Sequence, residues 1–307
     1  MRFVAPARVE IDPIVFERPP LALWMEFADL LRGPEWPPVA ALNERIAVAQ
    51  ESGSRIGDTP MPRFVVQSPD LLRDGLHYEQ RIAERRQIAT RERNWHDLLN
   101  ALVWLRFPGL KSALNARQVA EIAIAGAKQR TLAQCALTHF DEAGVIVILG
   151  DAELLALWDA HDWHGLFWRE RAAWTDGRIV SIVFGHALLE HALKAEQLLV
   201  GKAVAVTMRQ SVERENGAAR GDHAALALVA AAVRSSRLLV DPQELRPLPL
   251  SGIPGWHPAN RIESFYREAP CFRPLRSGRC YPEPFDTSDG TPYRSAPHLH
   301  RWGEGLA

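Results

Sequence analysis

The 22 prolines of this 307-residue sequence are confined to its two ends. All of them lie at or before Pro108 or at or after Pro242, so residues 109–241 contain none. Proline lacks a backbone N–H donor and fixes φ, so uninterrupted helices and strands are expected where it is absent. We therefore predict a single α+β domain over residues 1–240, which includes an extended N-terminal arm (1–60). An irregular, proline-rich tail (241–307) is expected to pack on it.

A helical hairpin is the strongest local prediction. Apolar residues recur at helical spacing from Trp95 to Leu105, and Pro108 and Gly109 then interrupt the pattern. A second helix is expected from about Leu110 to Ala127. The polar residues predicted on its outer face are Lys111, Arg117 and Gln118.

A small mixed sheet is expected to follow the hairpin. Residues 134–140 and 145–149 resemble strands, and 141–144 has turn chemistry, which predicts a β-hairpin. Residues 178–184 and 202–208 resemble two further strands, with a helix starting at Gly185 between them. Strand, helix and strand in this order predict a crossover unit.

Several unusual strings occur in an order that resembles the bacterial domain-of-unknown-function family catalogued as 3025. The strings are Asn94-Trp95-His96-Asp97, Asn100-Ala101-Leu102-Val103-Trp104, Phe107-Pro108, Ala113-Leu114-Asn115-Ala116-Arg117, Phe140-Asp141-Glu142-Ala143-Gly144, Phe184-Gly185-His186-Ala187-Leu188-Leu189-Glu190, Pro254-Gly255-Trp256 and Phe272-Arg273-Pro274. The similarity covers roughly residues 60 to 285. The resemblance implies no particular activity.

Composition and charge indicate in which compartment, and with which kinds of partner, the protein is expected to act. The formal net charge of -1 at pH 7 gives no overall attraction to nucleic acid or to an anionic membrane. Three cysteines without a paired framework indicate a reducing compartment. There is no apolar segment typical of a secretory signal, and the longest apolar run, 224–233, is too short to span a bilayer. We expect a cytoplasmic protein whose partner is a small molecule or another protein.

His96, Asp97 and Asn100 form the first candidate group. On a helix, His96 and Asn100 share a face, and a neighbouring His–Asp pair can ligate a metal or act as a base with an orienting partner. The alternative is structural, with Asn94 as the helix cap and Asp97 placed favourably in the first turn. The candidate ligand-binding residues in this region are Asn100, Arg93 and Arg117.

His186 and Glu190 form the second candidate group. Gly185 permits a sharp exit from a buried strand, and His186 then falls in the first turn of the following helix, one turn from Glu190. Ligand sites are common at the carboxyl ends of such strands. The alternative is an ordinary intrahelical pair between the two residues. We take His96, Asp97, His186 and Glu190 as the candidate catalytic residues.

A divalent metal is the one cofactor that the sequence suggests. If His96, Asp141 and His186 converge, they can bind a cation and leave a position open for water. Adjacent carboxylates such as Asp141 and Glu142 more often mark only a solvated turn. No phosphate-binding loop, dinucleotide fingerprint, HExxH motif or nucleophile elbow is present.

Three further groups are weaker. The arginine-rich segment 81–93 is either a helix face with internal ion pairs or a contact for an anion or nucleic acid. The group His161, Asp162 and His164 is either a ligand edge or a helix end at an interface. The set Cys271, Cys280, His298 and His300 has zinc-ligand chemistry, but its spacing does not fit the usual zinc patterns.

Two classes of function therefore remain open. The first is a hydrolase-like enzyme, assisted by a metal. The second is a non-catalytic binding or protein-interaction module that uses the arginine-rich segment and surface aromatic residues. A closed polar pocket favours the enzyme, and an exposed apolar or basic patch favours the module.

Overall fold

A mixed β-sheet with helices packed on it forms the centre of the structure, a computed structural model that describes residues 3–51, 60–126, 129–207 and 218–287. The α-helices are α1 (Ala28–Leu31), α2 (Val39–Glu51), α3 (Tyr78–Arg85), α4 (Trp95–Arg106), α5 (Pro108–Ala125), α6 (Leu132–Ala143), α7 (Ala152–Asp159), α8 (His186–His191), α9 (Ala218–Arg234) and α10 (Phe265–Glu268). The strands are β1 (Arg63–Val66), β2 (Gln87–Thr90), β3 (Gly144–Leu149), β4 (Ile179–Val183), β5 (Val200–Thr207), β6 (Arg246–Pro249) and β7 (Phe285–Asp286). The protein is therefore of the α+β class, as predicted.

The larger sheet has the strand order β4-β3-β5-β6, and β7 also pairs with β5. β3 runs antiparallel to β4 and parallel to β5. β4 and β5 are thus separated by β3 and run in opposite directions. The predicted crossover unit from β4 through α8 to β5 is therefore wrong, because a crossover joins parallel strands. The strand that pairs in parallel with β5 is β3. A separate parallel pair is formed by β1 and β2.

The helical hairpin is confirmed as α4 and α5, with the break at Phe107 and Pro108. The predicted outward position of Lys111 and Arg117 is wrong, because both side chains are buried. α5 contacts α3, α4, α6 and α9. The charged residues of α5 are buried between these helices and form ion pairs inside the protein.

The predicted strand over 134–140 is also wrong, because these residues lie in α6. Thr131 caps that helix, and its hydroxyl accepts from the Gln134 N–H while the Gln134 side chain accepts from the Thr131 N–H. This reciprocal cap is a strong helix-start signal. The fully buried residues of α6 follow helical rather than strand spacing; they are Ala133, Ala136, Leu137 and Phe140. The predicted turn 141–144 is the end of α6, which continues directly into β3.

Residues at both ends of the chain contribute to this core. The N-terminal arm forms short 3-10 helices at Arg8–Glu10, Pro13–Glu17 and Leu21–Phe27. From residue 242 to residue 287 the chain is irregular for the most part, as predicted, but it supplies β6 and β7 to the larger sheet. Within the described ranges, no helix combines the length and apolarity that a bilayer crossing needs.

Candidate functional site

The last turn of α6 and the first turn of α8 meet at one end of the strands β3 and β4. α6 runs into β3 at Gly144, and α8 leaves β4 through Gly185. Because β3 and β4 are antiparallel, the start of one strand lies beside the end of the other, and the Gly185 N–H donates to the Gly144 carbonyl at 2.9 Å. The last turn of α6, with Asp141 and Glu142, is therefore held against His186 at the start of α8.

Glycine at position 185 permits this close approach. A Cβ atom there would lie 2.4 Å from the Gly144 nitrogen and 2.5 Å from the Ala143 Cα. Such distances are well inside van der Waals contact, so a side chain at Gly185 would push the two helix ends apart.

α4 brings the third part of the site, since it packs against α8. Asn94 caps α4 by accepting the Asp97 N–H at 3.0 Å, and this fixes His96 in the first turn. The Nε2 atom of His96 lies 3.0 Å from Nε2 of His186. Its other ring nitrogen, Nδ1, lies 3.0 Å from Oε2 of Glu190, one turn further along α8.

Glu142 completes a cluster with the two histidines. Its Oε2 atom lies 3.6 Å from Nε2 of His186 and 4.0 Å from Nε2 of His96. Two ligand atoms bound to one tetrahedral zinc ion at ~2.1 Å lie about 3.4 Å apart, so these separations are close to those of a metal-ligand set. One oxygen and two imidazole nitrogens around a common point can hold a divalent cation, and the half-exposed Glu142 side chain leaves one side open.

The pKa shifts of the three cluster residues differ in direction. Burial lowers the pKa of His186 to about 3, so this imidazole is neutral. The hydrogen bond to Glu190 raises the pKa of His96, so a second proton on this ring competes with a cation. In the neutral ring, Glu190 accepts the proton of Nδ1, which leaves the Nε2 lone pair available to a cation. Burial raises the pKa of Glu142, and the neighbouring His96 acts against that shift.

Asp141 forms an ion pair with Lys111. Its Oδ1 accepts from the Lys111 ammonium at 2.6 Å, and Oδ2 lies 3.9 Å from Nδ1 of His186, on the side of the ring away from His96. Burial acts to raise the pKa of Asp141, but the charge of Lys111 and its hydrogen bond outweigh burial, and the pKa lies below its usual value. Lys111 also donates to Asn100 at 2.8 Å, and Asn100 donates to the Tyr78 hydroxyl at 3.0 Å.

The cluster opens into a pocket of about 300 Å³. His96, His186 and Glu142 all line it. The remaining lining is largely polar and includes Tyr78, Glu79, Gln118, Gln134 and Thr138. This volume is at the lower limit for small-molecule sites, and hydrogen-bonding groups rather than apolar surface would orient a ligand in it.

The structure brings together some of the sequence candidates and separates others. His96 contacts both His186 and Glu190, and Asn100 and Asp141 lie in the adjoining network. Asp97 lines the pocket and forms an ion pair with Arg91 at 2.6 Å. Arg93 is exposed and does not line the pocket. Arg117 is also absent from the lining and pairs with Glu121 at 2.6 Å.

The structure also shows the surroundings of the other two groups that the sequence suggested as ligands. His161 lies 2.9 Å from the Tyr281 hydroxyl, Asp162 pairs with Arg169 and His164 with Glu263. Cys271 and Cys280 are free thiols, one buried and one exposed. His298 and His300 lie outside the described residues.

Two participants were missed by reasoning from the sequence. Glu142 rather than Asp141 offers the third ligand atom, because the chain there is helical and adjacent side chains point in directions about 100° apart. Lys111 was assigned to solvent, although it supplies the counter-charge of Asp141. The capping sequence at Thr131 and Gln134 would have shown that Asp141 and Glu142 belong to a helix.

Comparison with known proteins places the chain in a family. The family described as Protein of unknown function (DUF3025) matches residues 62–276, which is more than half of the sequence. The chain belongs to this family, as the sequence strings suggested. Neither the curated proteins nor the solved structures include a match.

Proposed function

We propose that the protein binds a divalent transition metal through His96, His186 and Glu142 and acts as a metal-assisted hydrolase on a small molecule. The observation that carries this proposal is the pair of imidazole nitrogens 3.0 Å apart, with a carboxylate oxygen within 4.0 Å of both, in the lining of a polar pocket. Three protein ligands with an open position are the pattern of catalytic rather than structural zinc sites.

The ligand types favour zinc and are compatible with iron or manganese. Imidazole suits zinc and iron, while a carboxylate broadens the range toward manganese. Once bound, such an ion lowers the pKa of a coordinated water to about 7 and polarises a carbonyl or phosphoryl oxygen. Glu190 then holds the His96 ring in the tautomer that offers Nε2.

The buried polar network has a role beside the metal ligands. Lys111 and Asp141 form a partly buried ion pair behind His186. Asn100 links this pair to Tyr78, which lines the pocket. We infer that these four residues position His186 and one wall of the pocket, and that they are not themselves ligands.

The contacts of the arginine-rich segment give the binding-module alternative less support. Arg81 is buried, donates to the Leu71 carbonyl at 2.7 Å and pairs with Asp74. Arg91 pairs with Asp97. These two arginine charges are held in ion pairs, so the segment has fewer free cations than its sequence suggests.

Metal analysis of the purified protein tests the proposal. We expect about one equivalent of zinc, iron or manganese per chain, or micromolar or tighter binding of added zinc. His96→Ala and His186→Ala should each abolish stoichiometric binding. His164→Ala is the matched control, because it removes a surface histidine that also pairs with a glutamate. Folding of every variant is checked by near-UV circular dichroism. Absence of metal binding in the folded parent protein would contradict the metal site.

The proposed hydrolase activity is tested by a separate assay. Metal-loaded protein is tested on a panel of chromogenic esters, phosphoesters and amides. The expected result is turnover that is lost with chelator, restored by metal and absent in His186→Ala. Metal binding without turnover on any class would retain the metal site and reject the hydrolase.

A further inference from the structure

A second cleft, of about 760 Å³, is larger than the first pocket. Its floor is the exposed side of β5, at Val200 and Lys202, together with Pro247 of β6. Its wall is the segment 270–281 that follows α10. The two linings share no residue, so the cleft is a separate feature of the fold.

The cleft is lined by cations and by no carboxylate. The cationic lining residues are Lys202, Arg273, Arg276 and Arg279. Among the described residues, no carboxylate oxygen lies within 4.0 Å of the charged groups of Lys202, Arg273 or Arg276. Unpaired cations gathered in one concave surface produce a positive potential that attracts anions.

The segment that carries the arginines is held in place. The Arg273 carbonyl accepts from Nε1 of Trp163 at 2.7 Å and lies 3.1 Å from Nδ1 of His161. His161 also contacts the Tyr281 hydroxyl, at 2.9 Å. Arg279 donates to the Gln243 side chain at 3.1 Å. The backbone is thus fixed by contacts that leave the Arg273 and Arg276 guanidinium groups free, which reduces the entropy cost of binding a ligand.

We propose that this cleft binds the diphosphate group of a small-molecule ligand. Guanidinium groups bind phosphate oxygens through paired hydrogen bonds, and several cations in one cleft match a diphosphate better than a single phosphate. The cleft is within the size range of small-ligand sites and has room for an organic group beside the phosphates. The net charge of -1 makes an extended nucleic-acid surface a poorer match than a local anion site.

Isothermal titration calorimetry with inorganic pyrophosphate and with ADP tests the proposal. The full-length protein is first treated with chelator, so that no metal in the first pocket can bind the anions. The test variant is Arg273→Gln/Arg276→Gln. The matched control is Arg63→Gln/Arg234→Gln, which removes two exposed arginines outside the cleft lining.

We expect pyrophosphate binding that weakens about tenfold or more in the test variant and less than about twofold in the control. ADP that binds more tightly than pyrophosphate would identify a nucleotide-like ligand, and equal affinities would identify a free polyphosphate; both outcomes support the diphosphate site. Equal weakening in the two double variants, or no binding of either probe to the parent, would overturn it.

One more variant separates this proposal from the metal site. His96→Ala/His186→Ala removes both imidazoles of the first pocket and should leave the affinity for pyrophosphate unchanged. Loss of pyrophosphate binding in that variant, with the fold intact, would show that the anion binds in the first pocket and would also overturn the proposal.

Discussion

The imidazole rings of His96 and His186 point their Nε2 atoms at each other across 3.0 Å, from helices that are 90 residues apart in the sequence. The rings are nearly perpendicular, with an interplanar angle of 74°. A direct hydrogen bond would need a proton on one of these nitrogens, whereas a metal ion would use the lone pairs of both. The Glu190 carboxylate holds the Nδ1 proton of His96, and so it favours the form in which Nε2 is a lone-pair donor.

Glu190→Gln is therefore expected to weaken metal binding without removing a ligand. Loss of a carboxylate that orients a metal-bound histidine costs about 10–100-fold in affinity. The measurement is competition with a chromophoric zinc chelator. Glu263→Gln is the matched control, because Glu263 forms a similar pair with His164 at 2.8 Å and neither residue belongs to the cluster or lines its pocket. An unchanged zinc affinity in Glu190→Gln would contradict this role.

Substitutions of the neighbouring carboxylates Glu142 and Asp141 are expected to differ in their effects on zinc affinity and on stability. Glu142→Gln removes a ligand and is expected to lower zinc affinity about 100-fold or more, with little change in stability. Asp141→Asn leaves the Lys111 charge buried without its partner. Breaking a buried ion pair in this way lowers the free energy of unfolding by ~3–5 kcal/mol. Because Asp141 is partly exposed, we expect a decrease near the lower end of this range.

The two carboxylate variants are compared by the same chelator competition and by urea denaturation in the presence of EDTA. Lys111→Met/Asp141→Asn serves as a further control, because it removes both charges and should recover part of the stability lost in Asp141→Asn. If Asp141→Asn lost zinc and Glu142→Gln kept it, Asp141 would be the ligand and the present assignment would be wrong.

The contact between Gly185 and Gly144 gives a prediction about the backbone. Gly185→Ala places a methyl group against Gly144 and Ala143, and overpacking of this kind costs about 1–3 kcal/mol. Gly109→Ala is the matched control, because nothing lies within 4 Å of a Cβ built there and the position is in a helix, where alanine is favoured over glycine by up to about 1 kcal/mol. Urea denaturation of both variants measures the difference.

Zinc affinity gives a second readout for the same pair of variants. Because the strain in Gly185→Ala falls between Glu142 and His186, zinc affinity should fall in that variant and stay constant in Gly109→Ala. Equal stabilities and equal zinc affinities in the two variants would show that the Gly185 contact does not hold the site together.

Local sequence signals predicted the elements that depend on local interactions. The α4–α5 hairpin follows from apolar spacing and from Pro108, and the Asn94 cap of α4 was expected as the structural alternative for that residue. Residues 134–140 were assigned to the wrong element because an apolar run of that length fits either a strand or a buried helix. The capping pair at its start, Thr131 and Gln134, was the better signal.

The composition of the site depends on topology, which the sequence pattern does not contain. His96, Glu142 and His186 meet because β3 and β4 are antiparallel and because α4 packs on α8. Neither relationship is visible from spacing along the chain. The burial of Lys111 has the same origin, since α5 is enclosed by other helices. Reasoning from the sequence could list the two histidines, but it could not decide between the adjacent carboxylates.

Glu79, in the wall of the first pocket, gives a prediction about pH. Burial raises the pKa of Glu79 from 4.5 to about 7, although the Asn115 amide donates to its carboxylate at 2.7 Å. The raised folded-state pKa means that between about pH 4.5 and pH 7 the unfolded chain has lost this proton while the folded protein keeps it. The contribution of Glu79 to the free energy of unfolding therefore falls as pH rises through this window, by an amount on the order of 2–3 kcal/mol.

Glu79→Gln should remove that contribution, because glutamine does not ionise and can still accept the hydrogen bond from Asn115. The measurement is urea denaturation of the parent and the variant at several values from about pH 5 to pH 7.5, with EDTA present so that metal binding does not add its own pH dependence. Glu153→Gln is the control, since Glu153 is an exposed residue of α7. We expect the parent and the control to lose stability toward neutral pH relative to Glu79→Gln. Parallel pH profiles for all three proteins would show that Glu79 ionises normally in the folded state.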